Sequence, residues 1–117
     1  CYYNMKVLVT GAAGFLGSHL TERLVEKGHD VKAFVHYDPN NNWGWLENSK
    51  YKKNIEFVVG DIRDFDQVNE AIKGNKILYN FAGLADLDDA ATRPIETIST
   101  NIIGTVNLLE AAVKQKN

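Results

Sequence analysis

The stretch Met5-Lys6-Val7-Leu8-Val9-Thr10-Gly11-Ala12-Ala13-Gly14-Phe15-Leu16-Gly17-Ser18-His19-Leu20 decides the fold. Its first half is a short apolar run ended by glycine, the pattern of a buried strand. Its second half opens a helix expected over residues 15–27. Leu16, Leu20 and Leu24 recur there at steps of four beside Val25 as one apolar stripe. Lys27 suits the last turn and Gly28 the stop. Between strand and helix lie Gly11, Gly14 and Gly17, spaced Gly-x-x-Gly-x-x-Gly. Glycines belong where a backbone turns tightly and comes close to a pyrophosphate, and a helix start offers that anion free N–H groups and a positive dipole end. Gly17 lets the helix pack close to the strand. Strand and helix flank the loop on both sides, the context that separates a dinucleotide loop from an ordinary glycine turn. Gly11, Ala13, Gly14, Phe15, Leu16 and Gly17 are therefore candidate cofactor contacts.

Outward from this loop the pattern repeats. Residues 31–36 read as a second strand. Residues 37–54 form a long polar connection with Pro39 and an asparagine run, and residues 43–47 suit a helical turn within it. Residues 55–59 read as a third strand closed by Gly60. Asp64-x-x-Gln67 resembles a capping pair, and the helix it starts buries Val68, Ala71 and Ile72 and stops at Gly74. Residues 77–81 read as a fourth strand. Thr92 is the expected cap of a last helix, with Pro94 in its first turn and Ile95, Ile98, Ile102, Val106, Leu109 and Val113 along one face. Strands alternating with helices imply right-handed crossovers and a doubly wound parallel sheet of about four strands and three helices.

The glycine loop, read as Val9 to Leu20, resembles the extended short-chain dehydrogenase/reductase family, rich in NAD-dependent nucleotide-sugar epimerases and dehydratases. The likeness covers nearly the whole chain after Asn4. It implies a Rossmann-type domain over residues 5–117, with residues 1–4 a non-native or disordered leader. Gly60-Asp61-Ile62-Arg63-Asp64 is similar to the family's segment whose aspartate binds the adenine amino group and whose next residue packs on the ring, which marks Asp61 and Ile62. Asn80-Phe81-Ala82-Gly83-Leu84-Ala85 is similar to the Phe-Ala-Gly-Leu segment of UDP-galactose 4-epimerases that lines the nicotinamide ribose, which marks Phe81, Ala82, Gly83, Leu84 and Ala85. Ala85 stands where those epimerases carry lysine. Asn101 resembles the helix asparagine that orders the family's cofactor site, while close packing alone accounts for Gly104. At the second strand's end Val35 stands where the usual aspartate aligns, and His36 and Asp38 are the candidate ribose contacts. No lysine or arginine occurs between Lys32 and Lys50, so NAD is expected in preference to NADP.

The family's catalytic Tyr-x-x-x-Lys has one match, Tyr2 to Lys6. It is rejected, because Lys6 begins the first strand, far from the loop that ends it. No catalytic residue is assigned, and the resemblance implies a chain ending about where a fifth strand starts. The parent is expected to be an enzyme that takes a nucleotide sugar, transiently oxidises a sugar hydroxyl and returns the hydride, acting as a homodimer. The loop from His36 to Glu47 resembles that of some 4,6-dehydratases, and the Phe-Ala-Gly-Leu segment resembles that of epimerases. The alternative is a non-catalytic dinucleotide sensor on the same fold.

The 117 residues, 44% hydrophobic and 24% charged, suit one globular domain. A net charge of −2 with both signs interleaved argues against nucleic-acid and membrane partners. Cys1 is the single cysteine, which excludes an internal disulfide and fits a cytoplasmic setting. His19 and His29 have no metal-ligand spacing around them and read as structural. Asp86, Asp88 and Asp89 read as a solvated loop, and Trp43 and Trp45 as packing of the long connection.

Overall fold

The computed structural model describes residues 4–37, 39–40, 43–82 and 91–115. Four strands, β1 (Lys6–Thr10), β2 (Asp30–Val35), β3 (Ile55–Val59) and β4 (Ile77–Asn80), form one sheet in the order β3-β2-β1-β4. Every pairing is parallel. Helices α1 (Phe15–Glu26) and α2 (Phe65–Ile72) connect them. The last helix runs as α3 (Pro94–Ile98), a π-helical stretch (Ser99–Ile103) and α4 (Gly104–Lys114).

Alternation along the strands divides the core into two layers. Val7, Val9, Val31, Ala33, Val35 and Ile55 face the α1 side with Ala12 and Leu46. Leu8 and Phe34 face the other side, against Val68, Ala71 and Ile72 of α2 and Leu108 and Ala111 of α4. Lys32 falls on this second face, yet its Nζ reaches out to donate to the Ala71 carbonyl at 3.1 Å.

The end signals of the first two helices hold. Gly28 N–H donates to the Val25 carbonyl and His29 N–H to that of Leu24, the double bond of a glycine C-cap. Asp64 caps α2, accepting from Gln67 N–H at 3.2 Å. The Gln67 side chain does not reach back to Asp64; it accepts the Asp61 N–H at 2.8 Å, tying the third-strand exit to α2.

Two helix expectations need correction. The fully buried residues of α1 are Gly17, Ser18 and Thr21; of the expected stripe, Leu24 and Val25 pack partly buried against the core, while Leu16 is 66% exposed. Small residues win because the helix start lies against the glycine loop. Their hydroxyls are satisfied within the helix, Ser18 by the Phe15 carbonyl and Thr21 by that of Gly17. Thr92 is not the final cap either. It is itself helical, and Arg93 holds the N-cap position with Pro94 in the first turn.

The apolar row of the last helix points outward. Ile95, Ile98, Ile102, Val106, Leu109 and Val113 are each 53–80% exposed. Beside them β4 pairs with β1 alone among the described residues. Open strand edges and wide apolar faces drive association. Sedimentation velocity of the polypeptide 1–117 by itself should therefore show association that grows with concentration. A single monomeric boundary across concentrations, with high thermal stability, would contradict this. No helix among the described residues is long and apolar enough to cross a membrane.

Candidate functional site

The strand order places a topological switch between β1 and β4, because the chain moves outward from β1 to β3 and then returns to β1's other side. Ligands in open α/β sheets bind in the crevice at the strands' carboxyl ends at such a point. A groove of about 440 Å³ lies there, lined by Gly11, Ala13, Gly14, Phe34, Val35, His36, Gly60, Asp61, Ile62, Arg63, Phe81, Ala82, Arg93, Glu96 and Thr100.

One wall is the glycine loop. Gly11 has φ +65°, and a Cβ there would lie 2.5 Å from the Phe81 carbonyl carbon and 2.6 Å from Ala82 N. The close approach is held by Thr10. Its carbonyl accepts the Phe81 N–H at 3.1 Å, and its Oγ1 accepts from Ala82 N–H at 3.3 Å while donating to Asn80 Oδ1 at 2.6 Å. A Cβ on Gly17 would meet the Gly11 carbonyl oxygen at 2.2 Å, so only glycine lets α1 begin this close. Gly14 is the N-cap of α1 and makes no side-chain cap bond, and no acidic residue occupies the first turn. The N–H groups that open a helix lack intrahelical partners, so this end offers donors and a positive dipole to an anion. A Cβ at Gly14 would have only the Gly11 carbonyl oxygen near it, at 3.3 Å, leaving the backbone bare toward the groove.

The opposite wall is the β3 exit. Asp61 accepts from the Arg63 N–H at 2.9 Å and from its Nε at 3.0 and 2.9 Å, one bond to each carboxylate oxygen, with the Arg63 Nη2 completing the pair. The Arg63 guanidinium holds the Asp61 carboxyl below its ordinary range, and His36 adds a small effect of the same sign. Asp61 is thus an ionised acceptor at neutral pH, and with three Arg63 donors on its carboxylate about one of its four lone-pair sites is left for a ligand amino group. Ile62 lines the groove and also fills the core, where Gly104 makes room for its side chain.

The structure brings together Gly11, Ala13, Gly14, His36, Asp61, Ile62, Phe81 and Ala82 of the expected contacts. Phe15 and Leu16 follow at the helix start with exposed side chains, and Gly17 is buried beneath them. Asn101 lies in the π-helical stretch, next to the lining residue Thr100. Asp38, Gly83, Leu84, Ala85 and the acidic loop residues Asp86, Asp88 and Asp89 lie outside the described residues, as does Tyr2. Lys6 sits at the other end of β1, beside a separate polar depression with Lys32 and Lys73.

Sequence reasoning missed Arg63, Arg93, Glu96 and Thr100 as lining residues. The last three are spaced three and four apart, the step of one helix face, and that was their available signal. Arg93 pairs with Glu96 at 3.2 Å. Of the two tryptophans, Trp43 packs as expected, stacked on Phe57 at 4.8 Å between centroids. Trp45 is 62% exposed, edge-on to Phe15 at 5.0 Å. His29 accepts the Met5 N–H at 3.2 Å, and His19 lies 2.7 Å from the Phe15 carbonyl.

Residues 8–117 match the family model described as GDP-mannose 4,6 dehydratase. The chain is 33% identical over 115 residues to a UDP-N-acetyl-alpha-D-glucosaminuronate decarboxylase of Bacillus cytotoxicus, covering 95% of this chain and 34% of that protein. It is 31% identical over 119 residues to the UDP-glucose 4-epimerase of Pisum sativum, with the same coverages of 95% and 34%. Among solved structures, the Thermus thermophilus UDP-glucose 4-epimerase in complex with NAD superposes with a TM-score of 0.79 at 33% identity, over 95% of this chain and 34% of that one. The chain thus spans about a third of the length of the curated relatives it matches.

Proposed function

This chain belongs to the GDP-mannose 4,6 dehydratase family, within the extended short-chain dehydrogenase/reductases that act on nucleotide sugars, and on that premise we propose that it forms the NAD-binding part of a nucleotide-sugar epimerase or dehydratase. The observation that supports this most is one groove at the switch point with an uncapped helix start on one wall and an ionised carboxylate on the other.

Those two walls match a dinucleotide's chemistry. Backbone N–H groups of Phe15, Leu16 and Gly17 hold the pyrophosphate, where Gly11, Ala13 and Gly14 leave the approach open. Asp61 accepts from the adenine amino group, and Ile62 offers an apolar edge to the ring. His36, with Asp38, meets the adenosine ribose. Phe81 and Ala82, followed by Gly83, Leu84 and Ala85, line the nicotinamide ribose, and Asn101 orders the neighbouring helix. When bound, NAD takes up and returns a hydride. The residues assigned here bind and orient, and none carries proton transfer. The same reading takes a nucleotide sugar as the substrate of the whole protein, a homodimeric assembly and a cytoplasmic location.

NAD is expected to bind more tightly than NADP. A 2′-phosphate needs a cation, and the groove's two guanidiniums are already engaged, Arg63 by Asp61 and Arg93 by Glu96. His36 is the remaining cationic candidate among the lining residues, and an imidazole lacks the forked donors with which a guanidinium holds a phosphate. A preference of at least about tenfold follows from one missing charge-assisted hydrogen bond. Calorimetric titration of the intact protein with both cofactors measures it, and tighter binding of NADP would overturn the assignment.

A further inference from the structure

The connection between β2 and β3 grips the glycine loop through backbone. Trp45 N–H donates to the Ala13 carbonyl at 3.0 Å, and in the same peptide unit the Gly14 N–H donates to the Gly11 carbonyl at 3.1 Å. A peptide group is planar, so fixing its oxygen and its N–H together fixes its orientation. This is the peptide that leads into α1, and its plane sets where the free N–H groups of the helix start point.

The grip requires Gly44. Its φ is +59°, and a Cβ there would lie 2.4 Å from the Ala13 oxygen and 3.1 Å from the Ala13 Cβ. The segment is itself anchored. Leu46 is fully buried, Trp43 stacks on Phe57, and the Glu47 carboxylate accepts from Trp43 N–H at 2.8 Å and Lys52 Nζ at 2.9 Å. Ser49 Oγ donates to Glu22 of α1 at 2.7 Å, a second tie between the connection and the helix it positions.

We propose that residues 43–46 form a clamp that orients the pyrophosphate-binding backbone, with Gly44 and Trp45 as positioning residues acting through the Ala13–Gly14 peptide. The proposal rests on the dinucleotide reading above. It goes beyond that reading in giving the long connection a role in cofactor affinity without requiring it to touch the cofactor.

The Trp45 N–H has a single use. Within the turn the bonds run from Leu46 N–H to the Trp43 carbonyl and from Glu47 N–H to that of Gly44, leaving the Trp45 N–H to Ala13. Trp45→Pro therefore removes the clamp bond and the ring, whereas Trp45→Ala removes the ring and keeps the bond. Gly44→Ala displaces the Ala13 oxygen by contact. The test measures the dissociation constants of NAD and of adenosine, which has no phosphate, in the intact protein that carries this chain, with circular dichroism and thermal melting on every variant. In Trp45→Pro and Gly44→Ala, NAD affinity should fall at least about tenfold, the factor of one positioned hydrogen bond, while adenosine affinity stays within about twofold. Trp45→Ala should bind NAD within about threefold of the unaltered protein. Equal losses for NAD and adenosine, unchanged NAD affinity in both clamp variants, or a loss in Trp45→Ala as large as in Trp45→Pro would overturn the clamp. An unaltered protein that binds adenosine no more weakly than NAD would instead overturn the dinucleotide reading on which it stands.

Discussion

Replacing Gly11 with alanine should weaken NAD binding by two orders of magnitude or more. Two costs combine at this position. A left-handed φ of +65° costs an L-residue roughly 1–2 kcal/mol. The added Cβ would also sit 2.5 Å from the Phe81 carbonyl carbon and 2.6 Å from Ala82 N and the Phe81 oxygen, all backbone atoms. That backbone cannot retreat cheaply, since Thr10 holds Phe81 N–H and Ala82 N–H. The glycine loop must move instead, and with it the start of α1. Gly28→Ala is the matched control. Gly28 has φ +91°, but a Cβ there meets nothing within 4 Å. The control should lose about 1 kcal/mol of stability from backbone strain and keep its NAD affinity. Titration and thermal melting of the two variants in the intact protein separate strain from steric displacement. If Gly11→Ala binds NAD as the unaltered protein does, or Gly28→Ala weakens binding equally, the loop geometry is not what sets affinity.

The alternation of strands and helices was legible because β1 and β2, at the centre of the sheet, are largely buried on both faces. Val7 to Val9 reads as an unbroken apolar run, and glycine directly follows β1 at Gly11 and β3 at Gly60. β3 at Ile55–Val59 was expected residue for residue, and α2 with its Asp64 cap and buried Val68, Ala71 and Ile72 likewise. The burial of the start of α1 was not legible, because apolar periodicity names the greasy stripe, which does pack at Leu24 and Val25, and says nothing of how close a neighbour lies. Here a backbone loop lies against the helix start, and only glycine, serine and threonine fit beneath it. The final helix shows the same limit. Asn101 and Gly104 are poor helix formers, but a π-helical stretch cannot be read from propensity.

For the site, the residues that form the groove by backbone were readable because glycine spacing encodes backbone shape directly. Arg63 stood inside a quoted motif, yet its bidentate pairing with Asp61 depends on the turn after β3, where Arg63 N–H also bonds the Asp61 carboxylate. The 37–54 connection was legible as an anomaly of length, but its tie to the glycine loop was not. Its turn at Gly44–Leu46 was expected, but its bond to Ala13 joins residues that no local pattern links.

The polypeptide 1–117, taken by itself, is expected to bind NAD without converting any nucleotide sugar. Epimerisation and dehydration both need a group that moves a proton at the sugar hydroxyl, and positioned acid–base catalysis contributes about 10²–10⁴-fold. The tyrosine–lysine pair of the family finds only Tyr2 and Lys6 in this sequence. Lys6 begins β1 and Thr10 ends it beside the glycine loop, so at ~3.3 Å per residue the lysine stands more than ~13 Å from the groove. The titratable groups that do line the groove are poorly suited to the task. Asp61 is held ionised by Arg63 and is a weak base, and Glu96 is paired with Arg93. His36 follows β2, close enough to Asp61 to act on its carboxyl, and β1 stands between that strand and β4, whose exit carries Phe81 and Ala82. Incubation with NAD and a panel of UDP- and dTDP-sugars, followed by chromatography of the sugars, should return them unchanged, while NAD binding measured on the same sample shows that the domain is folded. Turnover that persists after host enzymes are excluded would mean that His36 or another groove residue moves the proton, and that the division between binding and chemistry drawn here is wrong.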